Sequence, residues 1–432
     1  MTARTRAGRR ATTMGERRRA GRAALRRAGT SLAVPNYRRY FAGQVVSVSG
    51  NWMQNVAEMW LIVQLTGSGA AVGFTAGLQF VPILLFGAWG GLLADRLPKR
   101  RVLMVTQALM ALPALALFAL TAAGSVTPLI VWALVFVRGS VNAVDNPTRQ
   151  SFVIELVGAE RVVNAVSLNS VIVQSARIVG PASAGAVIAF AGVSTCFALN
   201  ALSFVAMLVA LARMDPTALA TAAPVQRARG ELRAAVRHVN ANPGLWIPLA
   251  MMALVGTLSF NFQVLMPLLA SQTWHGTAAT YALLTSAMAV GSVVGALAAG
   301  ARGRVSPRIL VGAATGFGAL ELLAAAAPSL PLQVLALVPL GAMTVTFSAG
   351  VNSTMQLAVA PAMRGRVMAL YSVVFLGSTP IGAPLVGWLA QVAGPRAGMA
   401  LGATAALAAA GLASVAYART RERRVATAAV AA

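Results

Sequence analysis

The chain has 432 residues, of which 58% are hydrophobic and only 10% are charged. This balance lies far outside that of a soluble globular domain and excludes water as the main solvent of the folded chain. The apolar residues are gathered into runs of about 20 residues, the length that a helix needs to cross a hydrocarbon core of about 30 Å. Composition therefore predicts a polytopic membrane protein.

Taken in chain order, the apolar runs predict twelve membrane-spanning helices, because a helix satisfies its own backbone within lipid. We number them helix 1 to helix 12, with the ranges 40–65, 70–94, 101–123, 127–147, 163–190, 195–213, 246–270, 278–300, 307–327, 331–358, 367–392 and 397–418. The predicted fold class is an all-α membrane protein made of six plus six helices.

The formal net charge of +25 fits either nucleic-acid binding or membrane orientation, and the positions of the basic residues distinguish the two. Arginine and lysine lie in the N-terminal tail, after every even-numbered helix and at the end of the chain, whereas the other loops contain only Arg396. The positive-inside rule then places both termini in the cytoplasm. We expect the lipid bilayer, and no nucleic acid, as the partner of these charges.

The longest internal polar stretch runs from Asp215 to Gly244 and divides the chain. The predicted domains are a basic disordered cytoplasmic tail (1–35), an N-terminal six-helix bundle (36–214), a cytoplasmic linker with a short amphipathic helix (215–244), a C-terminal six-helix bundle (245–419) and a cytoplasmic tail (420–432). The first 35 residues lack the apolar core of a cleavable signal. Cys196 is the only cysteine, so we expect no disulfide, no metal site and no cofactor.

The two halves carry an internal repeat, in which residues of the first half return in the second in the same order. The pairs, all at nearly one offset, include Gly91 with Gly295, Asn146 with Asn352, Arg161 with Arg366, and Gly180 with Gly382. Two parallel six-helix repeats around a site at the bilayer midplane are a known plan of transporters.

The segment from Gly91 to Arg101, Gly-Leu-Leu-Ala-Asp-Arg-Leu-Pro-Lys-Arg-Arg, resembles the loop signature between helices 2 and 3 of the major facilitator superfamily. The resemblance covers residues 36–424. Four phrases resemble the branch that contains bacterial siderophore and macrolide exporters: Trp52-Met-Gln54, Leu65-Thr-Gly67-Ser68, Asn146-Pro-Thr-Arg149-Gln150 and Arg364-Gly-Arg366-Val-Met.

This resemblance implies a cytoplasmic gate. In the family pattern, the aspartate matched by Asp95 caps the N-terminus of helix 11, and the basic residue matched by Lys99 pairs with an acid at the cytoplasmic end of helix 4. Asp145 fits that acid. The sequence departs from the pattern at Pro98, where glycine is usual, and at Ala299, which replaces the acid in the second half. The alternative is that these charges only set topology.

Helix 5 carries Gly180-Pro181-Ala-Ser-Ala-Gly185, which is similar to the Gly-Pro pattern of helix 5 in family antiporters. Proline removes a backbone donor and glycine permits close helix approach, so the segment is suited to bend and seal a cavity. The pattern favours export. Ordinary close packing is the alternative explanation.

Polar stripes indicate which helix faces line the pathway, since polar groups are costly beside lipid. Glu58 and Arg138 are the predicted proton-coupling residues, and Arg138 also resembles the helix 4 arginine that the family associates with proton coupling. A structural ion pair explains these two residues equally well. Glu321 is interpreted as an interfacial charge, because it lies near the outer end of helix 9. The cavity-lining candidates are Gln44, Asn51, Asn55, Asn142, Gln174, Arg177, Asn261, Asn352 and Gln356.

The function predicted from the sequence is secondary active transport by alternating access, with no enzymatic activity. We expect a monomer that exports amphipathic small molecules, such as antibiotics or siderophore-like metabolites, in exchange for protons. The sequence contains no Gly-rich phosphate-binding loop with a lysine, so we do not expect this chain to drive transport with ATP. Two alternatives stay open: an uptake or facilitative transporter of the same fold, and a non-transporting membrane receptor or scaffold.

Overall fold

The computed structural model describes residues 30–220, 231–302 and 306–431. A 3₁₀ turn (Thr30–Ala33) precedes the first helix, and a linker helix (Glu231–Asn240) lies between the two halves. The long helices are α1 (Pro35–Thr66), α2 (Gly69–Arg96), α3 (Lys99–Ala122), α4 (Pro128–Val157), α5 and α6 (162–191 and 193–212, within Val162–Ala212), α7 (Pro243–Leu258, resuming as Phe262–Leu268), α8 (Ala278–Arg302), α9 (Pro307–Ala326), α10 (Leu330–Leu357), α11 (Pro361–Ala393) and α12 (Pro395–Ala431).

Ten stretches of the described chain are long and apolar enough to cross a membrane. One of them, Val162–Ala212, contains two spans, because Gly192 adopts a left-handed φ of 81° that ends α5 and starts α6. The ten stretches therefore contain eleven helices. The remaining helix, α1, is not among them because its polar stripe lowers its mean hydropathy. The described residues thus form two sets of six helices, and the predicted fold class is confirmed.

Two helices, α4 and α12, continue ten or more residues past their predicted ends. α4 continues to Val157, ten residues past its predicted end, with Pro147 inside the helix. Residues 145–150 are mostly polar, and their side chains face other helices or the cavity described below. α12 continues to Ala431 through the predicted 420–432 tail, a segment rich in alanine and arginine, which are good helix formers. Of the predicted 1–35 tail, residues 1–29 lie outside the described chain.

α7 is interrupted, whereas the sequence predicted one continuous helix over 246–270. Phe260 N donates to Val255 O at 3.1 Å, and Asn261 N donates to Ser259 O at 2.9 Å, so the regular ladder stops at residues 259–261. The chain resumes as Phe262–Leu268 and ends in one π turn, Leu269–Thr273. Breaks of this kind mark positions where a helix bends.

The linker helix has an amphipathic contact pattern. Val239 is buried and Arg237 is exposed, while the helix packs against α11 and the start of α7.

The two halves contact each other mainly through α2 with α11 and α5 with α8. Glycines allow these contacts: a methyl group on Gly73 would meet the carbonyl oxygen of Ala383, and one on Gly185 would meet Ala282 Cβ. Gln391 Oε1 also accepts a hydrogen bond from Ser68 Oγ at 2.7 Å. All these residues lie near the loops in which Arg396 is the only arginine or lysine. We call this the closed end, and the end with the arginine-rich loops the basic end.

Candidate transport cavity

A cavity of about 740 Å³ lies between α1, α2, α4 and α5, with one side chain from α3. Its volume is within the range of about 300–1,000 Å³ that is typical of small-molecule sites. Ile154 and Val162 line it at the basic end, and Arg138 lines it at its deep end. The polar residues of its wall are Gln44, Asn51, Asn55, Gln79, Arg138, Asn142, Asp145, Asn146, Arg149, Gln150 and Asn169.

An ion pair stands at the deep end of the cavity. Arg138 Nη2 lies 2.6 Å from Glu58 Oε2, and the same nitrogen donates to Asn55 Oδ1 at 2.9 Å. The Glu58 side chain is fully buried, whereas the Arg138 side chain keeps 12% of its surface exposed. Arg138 and Asn55 belong to the cavity wall and Glu58 lies behind them. The two predicted coupling residues are therefore in contact, and whether they exchange protons stays a prediction.

Three further amide side chains extend the hydrogen-bond network of this pair, and none of the three was among the predicted site residues. Gln54 Nε2 donates to Glu58 Oε1 at 2.7 Å, and Gln79 Nε2 approaches Glu58 Oε2 at 3.5 Å. Asn200 of α6 donates to Gln54 Oε1. The i, i+4 spacing of Gln54 and Glu58 was a usable sequence signal for one contact, but the contacts from α2 and α6 depend on helix packing.

Asp145 belongs to a second polar cluster, nearer the basic end. Its Oδ1 accepts hydrogen bonds from Thr106 Oγ1 at 2.6 Å and from Gln107 Nε2 at 2.9 Å, both on α3. Its Oδ2 pairs with Arg149 Nε, and Arg149 also donates to Gln44 Oε1 on α1. This cluster joins α1, α3 and α4 beside the cavity. Arg149 was not among the residues that the sequence assigned to the site.

The predicted pairing of Lys99 with Asp145 is wrong for this conformation. Lys99 Nζ lies 2.6 Å from Glu155 Oε1, and both side chains are nearly buried. Lys99 is the first residue of α3, and Glu155 lies in the last turn of α4, so the two are level. Asp145 is ten residues earlier in α4, which places it about 15 Å deeper along the helix axis.

The remaining residues of the basic loop are divided between two positions. Asp95 lies half-buried in the last turn of α2, and its role as a cap of α11 stays a prediction. Arg100 donates to Leu211 O at 2.8 Å and to Ala212 O at 2.9 Å, the last carbonyls of α6. A cation at this position also interacts favourably with the negative C-terminal end of the α6 dipole. Arg100 therefore anchors α6 to α3.

The Gly-Pro motif of α5 lies at two close helix contacts. A methyl group on Gly180 would meet Trp52 Cβ of α1, and Gly185 faces Ala282 of α8. Pro181 is buried within α5 without a local break in backbone geometry. Close packing accounts for both glycines in this conformation, and a bending role stays a prediction.

Five of the nine cavity-lining candidates lie outside the cavity wall described here. The guanidinium of Arg177 lies 5.3 Å from the ring centroid of Trp52, with Gln174 beside it. Asn261 is buried and donates to Thr257 O at 2.8 Å, because it lies at the interruption of α7. Asn352 and Gln356 bond to each other on the surface of α10 at 2.5 Å. The other four, Gln44, Asn51, Asn55 and Asn142, line the cavity.

Glu321 is not an interfacial charge. Its side chain is fully buried in α9, and neither carboxyl oxygen has a hydrogen-bond partner among the described residues. The sequence placed it near the outer end of a peripheral helix, which suggested exposure. Packing of α12 against this face of α9 buries it instead, together with residues 259–262 at the interruption of α7.

Two six-helix halves, closed against each other at one end and holding a polar cavity towards the other, are the architecture of a membrane transporter. The family model described as "Transmembrane secretion effector" matches residues 29–430. The chain belongs to this family of the major facilitator superfamily, and the predicted resemblance is confirmed.

Three comparisons illustrate the relationship. The chain is 25% identical over 262 residues to the staphyloferrin A transporter of Staphylococcus aureus, covering 60% of this chain and 65% of that protein. It is 26% identical over 373 residues to the enterobactin exporter EntS of Citrobacter koseri, covering 84% of this chain and 87% of that protein. A bacterial homologue of the iron transporter ferroportin, solved in an inward-facing state, has a TM-score of 0.69 at 17% identity, covering 89% and 98% of the two chains.

Proposed function

We propose that the chain exports amphipathic small molecules in exchange for protons, with Glu58 and Arg138 as the coupling pair. The observation that carries this proposal is the ion pair itself, which joins a fully buried carboxylate to an arginine on the wall of a polar cavity. Intramembrane charges are costly and are retained mainly where they have a function.

The proposed substrate class comes from the cavity and the relatives. The cavity wall combines amide side chains and arginines with apolar residues such as Phe80, Ile83 and Val173, which suits a molecule with polar and apolar parts. The relatives include proteins named for staphyloferrin A and enterobactin, and one of these is an exporter. Iron-chelating metabolites are therefore the first substrates to examine, and amphipathic antibiotics the second.

The proposed orientation places the basic end in the cytoplasm, following the positive-inside rule. The cavity then opens to the cytoplasm in this conformation, which is the side from which an exporter takes up its substrate. Lys99, Glu155 and Asp95 lie at this end, where we infer that the cytoplasmic gate forms on closure. Cysteines at Thr217 and Ser125 give a topology test, because only the first is expected to react from the cytoplasmic side. Labelling of Thr217→Cys by an impermeant reagent from outside intact cells would overturn the orientation.

The proposed coupling step is a competition at one site. Burial favours the protonated form of Glu58, whereas Arg138 favours its carboxylate, so the balance depends on how well the pair is formed. A substrate that attracts Arg138 towards the cavity weakens the pair and favours proton uptake by Glu58. Loss of the proton after the conformational change restores the pair and resets the cavity.

The test is transport in proteoliposomes with and without an imposed pH gradient, using metal-free enterobactin, metal-free staphyloferrin A and one macrolide as probes. We expect Glu58→Gln to abolish gradient-driven accumulation of the transported probe and to preserve its downhill exchange. Glu160→Gln is the matched control, because Glu160 is an exposed acid in the short segment that joins α4 to α5 at the basic end of the molecule.

Each alternative predicts a different result. Full gradient-driven accumulation by Glu58→Gln would exclude Glu58 as the coupling acid and make Asp145 the next candidate. Accumulation in the direction opposite to export would favour the uptake alternative. Absence of flux for every probe, in protein shown to bind one of them, would favour the receptor or scaffold alternative.

A further inference from the structure

A second buried acid lies in the second half of the molecule, apart from the cavity. Glu321 of α9 is fully buried, and neither of its oxygens has a hydrogen-bond partner among the described residues. Residues of α9 do not occur in the cavity wall, which belongs to α1–α5. Buried polar atoms without partners are rare in folded proteins, so this carboxyl group calls for a physical explanation.

The carboxyl group lies between α12 and the interruption of α7. A methyl group built on Gly402 of α12 would lie 2.6 Å from Glu321 Oε1 and 3.1 Å from Ser259 Cα. The hydroxyl of Ser259 is already engaged, because it donates to Gly402 O at 2.6 Å. Gly402 therefore provides the space for the carboxyl group, and the interrupted turn of α7 closes over it.

Aromatic rings surround the same turn of α7. Phe317, one turn before Glu321 on α9, meets Phe260 edge-on at a centroid distance of 5.5 Å and Phe262 at 6.1 Å. Phe260 also meets Phe347 of α10 at 6.3 Å. These rings are apolar and closely packed, so they replace water on this side of α9.

Compensating charge is absent from the helices packed against Glu321, within the part of the chain that the structure describes. α7 and α10 contain no ionisable residue. On α9 the other charge is Arg308, near the opposite end of the helix. On α12, Arg396 donates to Ala327 O at 2.7 Å and lies over the Trp274 ring, whereas Tyr417 and Arg419 are four turns or more beyond Gly402.

We propose that Glu321 binds a proton in this conformation and is a proton-binding site of the C-terminal half, separate from the Glu58 and Arg138 pair. A bare carboxylate here would lack both water and a counter-ion, a far greater cost than that of burying a neutral acid. Loss of the proton therefore favours conformations in which the interrupted turn of α7 moves away from α9 and α12. The inference stands whether or not Glu58 is the coupling acid.

Infrared spectroscopy of the purified protein in lipid tests this proposal, because a protonated carboxyl group has a C=O stretching band that a carboxylate lacks. We expect the wild type to show this band at neutral pH, with a shift in deuterated water. Glu321→Gln should lose the band, whereas Glu58→Gln and the exposed control Glu160→Gln should keep it. Glu321→Gln preserves the size and neutrality of the acid, so we expect it to fold.

Equal band intensity in the wild type and in Glu321→Gln would overturn the assignment. Loss of the wild-type band on addition of sodium chloride at constant pH would also overturn it, because the site would then hold a metal cation. If Glu321→Gln fails to fold, titration of the band in the wild type decides the question: a band that is already absent at neutral pH contradicts the proposal.

Discussion

Two glutamates with the same burial occupy opposite kinds of site in this protein. Glu58 in the first half has an arginine and two glutamines within reach, and its arginine partner faces an open cavity. Glu321 in the second half has aromatic rings and glycine around it and no partner among the described residues. Burial alone therefore does not define the chemistry of an intramembrane acid. The neighbouring helices do, through the charges and dipoles that they bring to it.

The two sites also differ in how a proton reaches them. Arg138 is partly exposed to the cavity, so its pair with Glu58 opens or closes with the contents of the cavity. Glu321 lies behind the interrupted turn of α7, so proton exchange there requires movement of a helix. We expect exchange at Glu58 to respond to substrate, and exchange at Glu321 to respond to conformation.

The largest effect is expected when Glu58 is made to resemble Glu321. Arg138→Met removes the cation that pairs with Glu58. Breaking one side of a buried ion pair lowers the free energy of unfolding by about 3–5 kcal/mol. The loss should be greatest at high pH, where Glu58 must ionise without a partner, and smaller at low pH, where it stays neutral. Thermal unfolding in detergent across a pH series measures this. The double variant with Glu58→Gln should recover most of the stability, and a double variant as unstable as Arg138→Met would contradict the pairing argument.

A smaller effect is expected from filling the space beside Glu321. Gly402→Ala places a methyl group against the carboxyl group, and overpacking of this kind costs about 1–3 kcal/mol. Gly411→Ala is the matched control on the same helix, because no atom outside its own helix lies within 4 Å of the added methyl group. That control should be neutral or more stable by about 0.5–1 kcal/mol, since alanine favours helix. Equal stability of the two variants would show that the Glu321 site tolerates the methyl group.

The smallest effect concerns the basic end, where the partner predicted from the sequence and the partner in the structure differ. A double-mutant cycle of Lys99→Met with Glu155→Gln should give a coupling free energy of about 1 kcal/mol, because contacting charges couple by about 0.5–3 kcal/mol. The cycle of Lys99→Met with Asp145→Asn should give nearly none. Both are measured by unfolding in detergent, and coupling to Asp145 alone would restore the partner predicted from the sequence.

The residues of the first half illustrate how far the sequence reached towards the site. Two polar stripes supplied these residues: α1 carries Gln44, Asn51 and Asn55, and α4 carries Arg138 and Asn142. The structure places all five on the cavity wall. Helical periodicity is a local property, so it identifies such stripes reliably. Gln79, by contrast, is the only amide side chain of α2, and nothing in its own helix marked it as a lining residue.

The sequence by itself determined the number of spans, the division into two halves and the family, because apolar length, loop charge and short motifs are all local features. Only the tertiary structure decided which acid Lys99 contacts, that α7 is interrupted, and that Glu321 is enclosed. Each of these depends on the rotation and depth of helices that are distant in sequence. A side chain's position along its own helix is set by its number, but its partner is set by how another helix packs against it.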